Sequence, residues 1–269
     1  MGTDKEAHRE TARAWDVVAR AKYAEEFDAH VELLRSGDHN LLDVEADLLA
    51  PILRGARVVN LQCSHGLDAL GLLNAGAASV VGVDISQEMI RQARAKAEVL
   101  GLQAARFVVA DVLDLPRELD ATADLVYTGR GSLPWVLDLE GWSLSASRLL
   151  RPGGHLFIFE GHPLDTLWDR DADGPVRRSG ASYFDDVPCE APGFPSSVVA
   201  RAQGSVRPRM LERQWRPAQV IEVLLTRGLE LKRFREYPVL FWDQFPNWSE
   251  ELKLSLPHTY AILAQLPAE

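Results

Sequence analysis

Residues 57–66 read Arg-Val-Val-Asn-Leu-Gln-Cys-Ser-His-Gly, and residues 79–84 read Ser-Val-Val-Gly-Val-Asp. Each opens on a short apolar, β-branched run, the composition of a buried strand. Between them Leu67–Asn74 has helical spacing, with Gly76 just past its end. A strand, a tight turn at Gly66, a helix and a second strand make a βαβ unit, whose strands lie parallel. That unit decides the fold class. It is α/β, Rossmann-like, a mostly parallel sheet with helices on both faces.

The same rhythm extends downstream. Ser86 suits the N-cap of a helix through Leu100, which Gly101 ends. Arg106–Ala110 and Asp124–Thr128 are short strands. Leu139–Leu150 is helical, Pro152-Gly153-Gly154 is a turn, and His155–Phe159 is a fifth strand. Pro217 fits the first turn of a helix to about Arg227, with Gly228 beyond, and Leu229–Glu236 and Pro257–Leu266 are two last strands. Upstream, Trp15, Val18, Ala19, Tyr23, Phe27, Val31 and Leu34 fall at three- and four-residue steps, one apolar stripe on a helix within 5–36 that Gly37 stops. A second short helix fits 41–50, halted near Pro51. Region 161–214 breaks the alternation with Pro163, Gly174-Pro175, Gly180, Pro188, Pro192-Gly193, Pro195 and Gly204. The expectation is one domain over 1–269, with an N-terminal helical lid at 5–50 and a substrate-side insertion of loops and irregular strands at 161–214.

Composition bounds the function. The 269 residues are 46% apolar and 25% charged, which excludes disorder, collagen and coiled coil as the main state. Thirty-nine acids against 29 bases give a net charge of −10, a surface that repels phosphate backbones, so no nucleic-acid partner is expected. Cys63 and Cys189 cannot build a disulfide framework and suit a reducing compartment. The first residues lack the basic start and apolar stretch of a signal peptide, and no apolar run approaches the roughly 18 residues of a membrane span. A soluble cytoplasmic protein with no membrane partner is expected. No His/Cys cluster has metal-ligand spacing, so no metal is expected either.

In an open α/β sheet, ligands bind beyond the carboxyl ends of the strands. The turn Asn60–Gly66 aims backbone N–H groups and a helix start at that edge. Asp84 ends the second strand and can accept hydrogen bonds from both hydroxyls of a ribose, or act as a helix-start carboxylate beside Ser86. Asp111-Val112 ends the third strand and can read an adenine edge, or Asp111 can be a solvated loop acid. Cys63 reads as a small packed thiol, since no basic partner is visible that would make it a nucleophile.

These residues resemble the class I S-adenosylmethionine-dependent methyltransferases over about residues 10–266. The first motif of that family, an acid followed by glycines, is matched by Asn60 through Gly66, with Asn60 for the acid, Gln62 for the first glycine and Ser64 for the second. The Leu-Gln-Cys turn, Tyr127-Thr128-Gly129-Arg130-Gly131, the Trp135…Asp138-Leu139…Trp142 run and Glu160-Gly161-His162-Pro163 are similar to a bacterial small-molecule branch. The resemblance implies a seven-stranded sheet of order 3-2-1-4-5-7-6 with strand 7 antiparallel, and S-adenosylmethionine as cofactor. By it, Asp84 holds the ribose, Ile85 packs on the adenine, and Asp111 and Val112 contact its amino group and ring. Gln62, Ser64 and Gly66 line the methionine end, which Thr128 caps.

Methyl transfer from a sulfonium needs an in-line acceptor in a dry, oriented site, and a base only where the acceptor must lose a proton. His162, just past the fifth strand, is the first choice for that base, against a structural histidine before Pro163. Glu160 reads as structural or orienting, and His65 as shaping the cofactor turn. Arg130 suits either an acceptor carboxylate or an ion pair. Trp15 and Tyr23 share a helical face and either close over the cofactor or pack as core. Residues 161–269 hold 12 of the 21 aromatics, which favours a pocket for an aromatic or amphipathic metabolite with Trp168, Tyr183, Phe184, Trp215 and Trp242 as candidate walls. Arg201, Arg207, Arg209, Arg213 and Arg216 suit an anionic substrate or a solvated strand face. Two other functions fit the same layout, an NAD-dependent oxidoreductase and a non-catalytic nucleotide-binding protein. The acceptor atom and oligomeric state are left open.

Overall fold

The computed structural model describes residues 2–185, 187–190 and 210–268. Seven strands form one sheet: β1 (Arg57–Leu61), β2 (Ser79–Asp84), β3 (Ala105–Val109), β4 (Ala123–Gly129), β5 (Leu150–Gly161), β6 (Glu230–Tyr237) and β7 (Thr259–Gln265). Their order is β3-β2-β1-β4-β5-β7-β6, with β1 to β5 parallel and β7 antiparallel to both its neighbours. This is the sheet expected from sequence.

Alternate strand residues enter opposite cores, as the pleat requires. Val58, Leu125, Tyr127, Phe157 and Phe159 pack on one face beneath α3 (Asp43–Leu53), α4 (Leu67–Asn74) and α5 (Gln87–Leu100). Val59, Val126, Leu156 and Ile158 pack on the other beneath α6 (Leu139–Leu149) and α7 (Pro217–Thr226). Trp142 of α6 is fully buried there. Both faces are covered, so four consecutive residues of β1, Val58 to Leu61, are buried.

The helix expected over 5–36 is divided. α1 (Gly2–Val18) gives way to a π-helical turn, Ala19–Tyr23, and α2 (Phe27–Arg35) follows. The Ala19 carbonyl accepts from Ala24 N at 3.2 Å and from Gln92 Nε2 of α5 at 2.7 Å. One widened turn leaves the apolar stripe continuous, so periodicity does not reveal it. α3 runs through Pro51, which is exposed in the last turn and forgoes the bond an N–H there would make to the carbonyl of exposed Asp47. Pro152–Gly154 is a bulge inside β5, between the Ala123–Leu150 and Leu125–His155 pairs, with Gly153 at φ 78°.

Past β5 come a 3₁₀ turn (Pro163–Leu167), a bridge between Trp168 and Arg177, and a two-residue ladder of Cys189–Glu190 with Leu211–Glu212. Arg201, Arg207, Arg209, Pro192-Gly193, Pro195 and Gly204 lie outside the described residues. Arg213 and Arg216 sit over the rings of Trp215 and Phe184, at 4.0 and 5.4 Å. Trp215 is a core anchor, donating to Val136 O at 2.8 Å. A last short helix, α8 (Glu250–Lys253), precedes β7.

Candidate active site

A cavity of about 790 Å³ opens at the carboxyl ends of β1, β2, β4 and β5 and is roofed by α1. Its floor is the turn after β1. Gln62, Ser64 and Gly66 have φ of 52°, 50° and 82°, so the first two hold the left-handed conformation that glycine adopts freely. The turn keeps its shape although two glycines are gone, at a cost of about 1–2 kcal/mol per residue. Gly66 must remain, because a Cβ there would lie 2.6 Å from Ala93 Cβ on α5.

Asp84 locks this turn. Its Oδ2 accepts from Ser64 N at 2.8 Å and its Oδ1 from Ser86 N at 2.9 Å. Burial pushes its carboxyl up to about 6 against the pull of these amides. Each oxygen keeps a second lone pair for a hydroxyl. Beside it, Asn60 donates to Leu61 O and Tyr127 O, and Gln62 donates to Ser132 O at 2.6 Å. Their amide oxygens, Asn60 Oδ1 and Gln62 Oε1, are buried without a partner, and both residues line the cavity. A buried acceptor left open calls for a donor, and two together suit an ammonium group. Cys63 is buried and burial pushes its thiol well up, as a packed thiol requires. His65 lies against Tyr23 and His30 at 4.2 and 4.8 Å, and its carbonyl receives Lys96 Nζ at 3.0 Å.

The N-terminal helix closes the far side. Asp16 of α1 accepts from Ser86 Oγ at 2.5 Å and Glu88 N at 3.0 Å, joining the cap of α5. His8 donates through Nδ1 to Asp111 at 3.0 Å, and Asp111 also accepts from Leu113 N at 2.9 Å. Trp15 meets Trp135 edge-on at 5.2 Å, and both line the cavity with Tyr23.

Residues 58–154 match a family model described as a methyltransferase domain. The match covers about a third of this chain. A 27-O-demethylrifamycin SV methyltransferase of Amycolatopsis mediterranei is 30% identical over 133 residues, 49% of this chain and 48% of that protein. Among solved structures, an S-adenosylmethionine-dependent methyltransferase from Listeria monocytogenes superposes with a TM-score of 0.62 at 17% identity, over 82% of this chain and 96% of that one. The geranyl diphosphate C-methyltransferase of Streptomyces coelicolor gives 0.55 at 16%, over 83% and 75%. These structural likenesses concern the class I methyltransferase fold. The chain spans less than half the length of the curated relatives it matches.

At the end of the cavity beside β4 and β5, Glu160 is 2% exposed and accepts from the amides of Gly131, Ser132, Leu133 and Gly161. It fixes the loop after β4, the orienting role expected for it. Arg130, at φ 60°, donates to Glu45 and to Asp68, so its guanidinium belongs to an ion-pair cluster inside the wall. Tyr127 Oη donates to the other Glu45 oxygen at 2.7 Å. His162 Nδ1 accepts from Leu164 N at 3.2 Å, so Nε2 carries the hydrogen and donates to Glu236 at 2.9 Å. Burial pushes its pKa down, and Glu236 opposes that.

The structure thus gathers Gln62, Ser64, Asp84, Ile85, Asp111, Val112, Trp15, Tyr23, Arg130 and His162 around one cavity. Gly66, Thr128, Trp168 and Tyr183 are not among its lining residues. Thr128 is fully buried and bonded to Ser132 Oγ at 2.8 Å, Trp168 packs on Trp248, and Tyr183 stacks on His162 from outside. Phe184 is 74% exposed, whereas Trp242 is half exposed and lines the cavity. Sequence reasoning missed His8, Asp16, Glu45 and Asp165. Asp165 lines the cavity and pairs with buried His258 Nδ1 at 2.8 Å, while His258 Nε2 donates to Lys253 O at 3.0 Å. These partners lie far apart in the chain, and no local pattern pairs them.

His162→Phe should lower stability by about 1–2 kcal/mol, the worth of its cap on Leu164, and leave affinity for S-adenosylhomocysteine within about twofold. Thermal melts and calorimetry together check this.

Proposed function

We propose that the protein transfers the methyl group of S-adenosylmethionine to a small, aromatic or amphipathic metabolite. The observation that carries this is one wall of the cavity at the carboxyl edge of the sheet. It presents the Asp84 carboxylate and, beside it, the unpartnered oxygens of Asn60 and Gln62. Asp84 fits a ribose diol, and the two amide oxygens fit an amino-acid ammonium. Bound there, the cofactor supplies an activated methyl group on a positively charged sulfur. The chain's own residues orient the reactants and exclude water. Ile85 and Val112 flank the adenine site, and Ser64 and Gln62 close the methionine end. Trp15, Tyr23, Trp135 and Trp242 offer faces to an apolar acceptor, beneath a lid formed by the N-terminal helices. Thr128 acts one step back, by positioning Ser132.

An acceptor that must lose a proton has two groups to receive it. Both ring nitrogens of His162 are engaged, so it serves as base only when its bond from Leu164 opens. Asp165 also lines the cavity, its carboxyl paired with His258 and receiving Gln244 Nε2 at 3.3 Å. A small acceptor is supported by one relative named for a demethylrifamycin, while another is named for ribosomal protein L11. The antiparallel β7 and the domain match favour methyl transfer over an NAD-dependent oxidoreductase or a non-catalytic nucleotide-binding protein. Among the described residues no helix is long and apolar enough to cross a membrane.

Calorimetric titration with S-adenosylmethionine and S-adenosylhomocysteine tests the reading. Saturable binding of both is expected, and silence with both while NADH binds overturns it. The affinity should also depend on pH in one direction. The diol needs the charged form of Asp84, so affinity is full above about pH 6 and falls below it, toward tenfold per pH unit.

A further inference from the structure

We propose that His8 of the N-terminal helix is a cofactor-recognition residue, its Nε2 accepting a hydrogen from the exocyclic amino group of a 6-aminopurine. The inference rests on the cofactor reading above and adds a specificity determinant to it.

His8 is 5% exposed and lines the cavity beside Asp111 and Val112. Its Nδ1 lies 3.2 and 3.0 Å from the two oxygens of Asp111. A carboxylate only accepts, so Nδ1 carries the hydrogen, and the lone pair of the neutral ring falls on Nε2. That nitrogen is buried and has no partner. An open acceptor in a nearly closed wall is costly until a donor reaches it.

The donor is set by what else stands there. Ile85 and Val112 are apolar and suit a flat heterocycle, and the diol-binding carboxylate of Asp84 lies in the same cavity. A nucleoside whose sugar sits on Asp84 turns its base toward Val112 and His8. A 6-aminopurine offers an N–H there, and a 6-oxopurine offers a carbonyl oxygen that would face the Nε2 lone pair. Asp111 then acts through His8, fixing its tautomer, while its Oδ1 also holds Leu113 N. Asp16 holds the same helix to the start of α5 by a separate contact.

The test compares binding of S-adenosylhomocysteine with that of S-inosylhomocysteine, which differs by the 6-amino to 6-oxo exchange. The wild-type protein should prefer the amino compound by about thirtyfold, as a site built around one hydrogen bond rejects the analogue that lacks it. His8→Phe keeps the ring and removes the acceptor, and should reduce the preference to less than about threefold. Asp16→Ala loosens the helix without touching the base, and should weaken both compounds together while keeping the preference. A wild-type preference that is absent, or one that survives in His8→Phe, overturns the proposal while leaving the cofactor reading intact. If S-adenosylhomocysteine does not bind the wild-type protein at all, the cofactor reading fails and His8 with it.

Discussion

Asp84→Ala should lower affinity for S-adenosylhomocysteine by roughly two to four orders of magnitude. Two hydrogen bonds from the diol to a charged acceptor are each worth about 1.5–3 kcal/mol, and both vanish. The loss compounds because the same carboxylate holds the Ser64 and Ser86 amides, and with them the floor of the cavity and the start of α5. Asp84→Asn separates the two roles. It keeps the size and one acceptor, yet turns an NH₂ toward one of the amides, so it should bind poorly while melting close to wild type. Undiminished affinity in either variant, measured by calorimetry, would remove Asp84 from the site. In the protein without ligand the same residue works against stability. Its carboxyl is raised by burial, so the folded state holds the proton more tightly than the unfolded chain. The stability it contributes is present below the ordinary aspartate range and is lost as pH rises toward about 6. Binding and folding therefore pull this group in opposite directions.

Arg130→Met is expected to cost about 3–5 kcal/mol of stability, the penalty for leaving one partner of a buried pair uncompensated. Glu45 is fully buried, and Arg130 supplies the guanidinium that faces it, with Nη2 also donating to Asn40 O at 2.5 Å. Burial pushes the Glu45 carboxyl up and Arg130 pulls it down, so removing the arginine takes away the charge that compensates it. Adding Glu45→Gln to Arg130→Met should recover part of the loss, because the stranded charge is gone. Denaturant midpoints of the two single variants and the double variant measure this coupling. A near-zero change for Arg130→Met would free its guanidinium for an acceptor carboxylate.

The sheet was legible because its strands are covered on both faces. Val58-Val59 and Val80, Gly82 and Val83 are buried on both sides of the pleat, and such apolar runs mark strands covered on both faces. Ser86 and Gly101 marked the ends of α5 because capping is local chemistry, and Ser86 Oγ does accept from Met89 N. Asp84 and Asp111 were legible for the same reason, each standing one residue past an apolar run or closing it. The rest depends on distance in the chain. His8 meets Asp111 across 103 positions, Arg130 meets Glu45 across 85, and Asp165 meets His258 across 93. No spacing records such pairs. Gln62 and Ser64 look like a broken turn, but the backbone accepts the left-handed conformation at both, and the loss is energetic rather than geometric.

The strand that comes late in the chain sits between two earlier ones in the sheet. β6 hydrogen-bonds to nothing in the sheet except β7. On the ribosome, β6 emerges first and must wait with both edges bare until residues 259–265 follow. At about 5–20 residues per second, that interval lasts on the order of seconds. The charged side chains of Glu230, Lys232, Arg233, Arg235 and Glu236 then serve the nascent chain, keeping an unmated ribbon from annealing to its neighbours before its partner arrives.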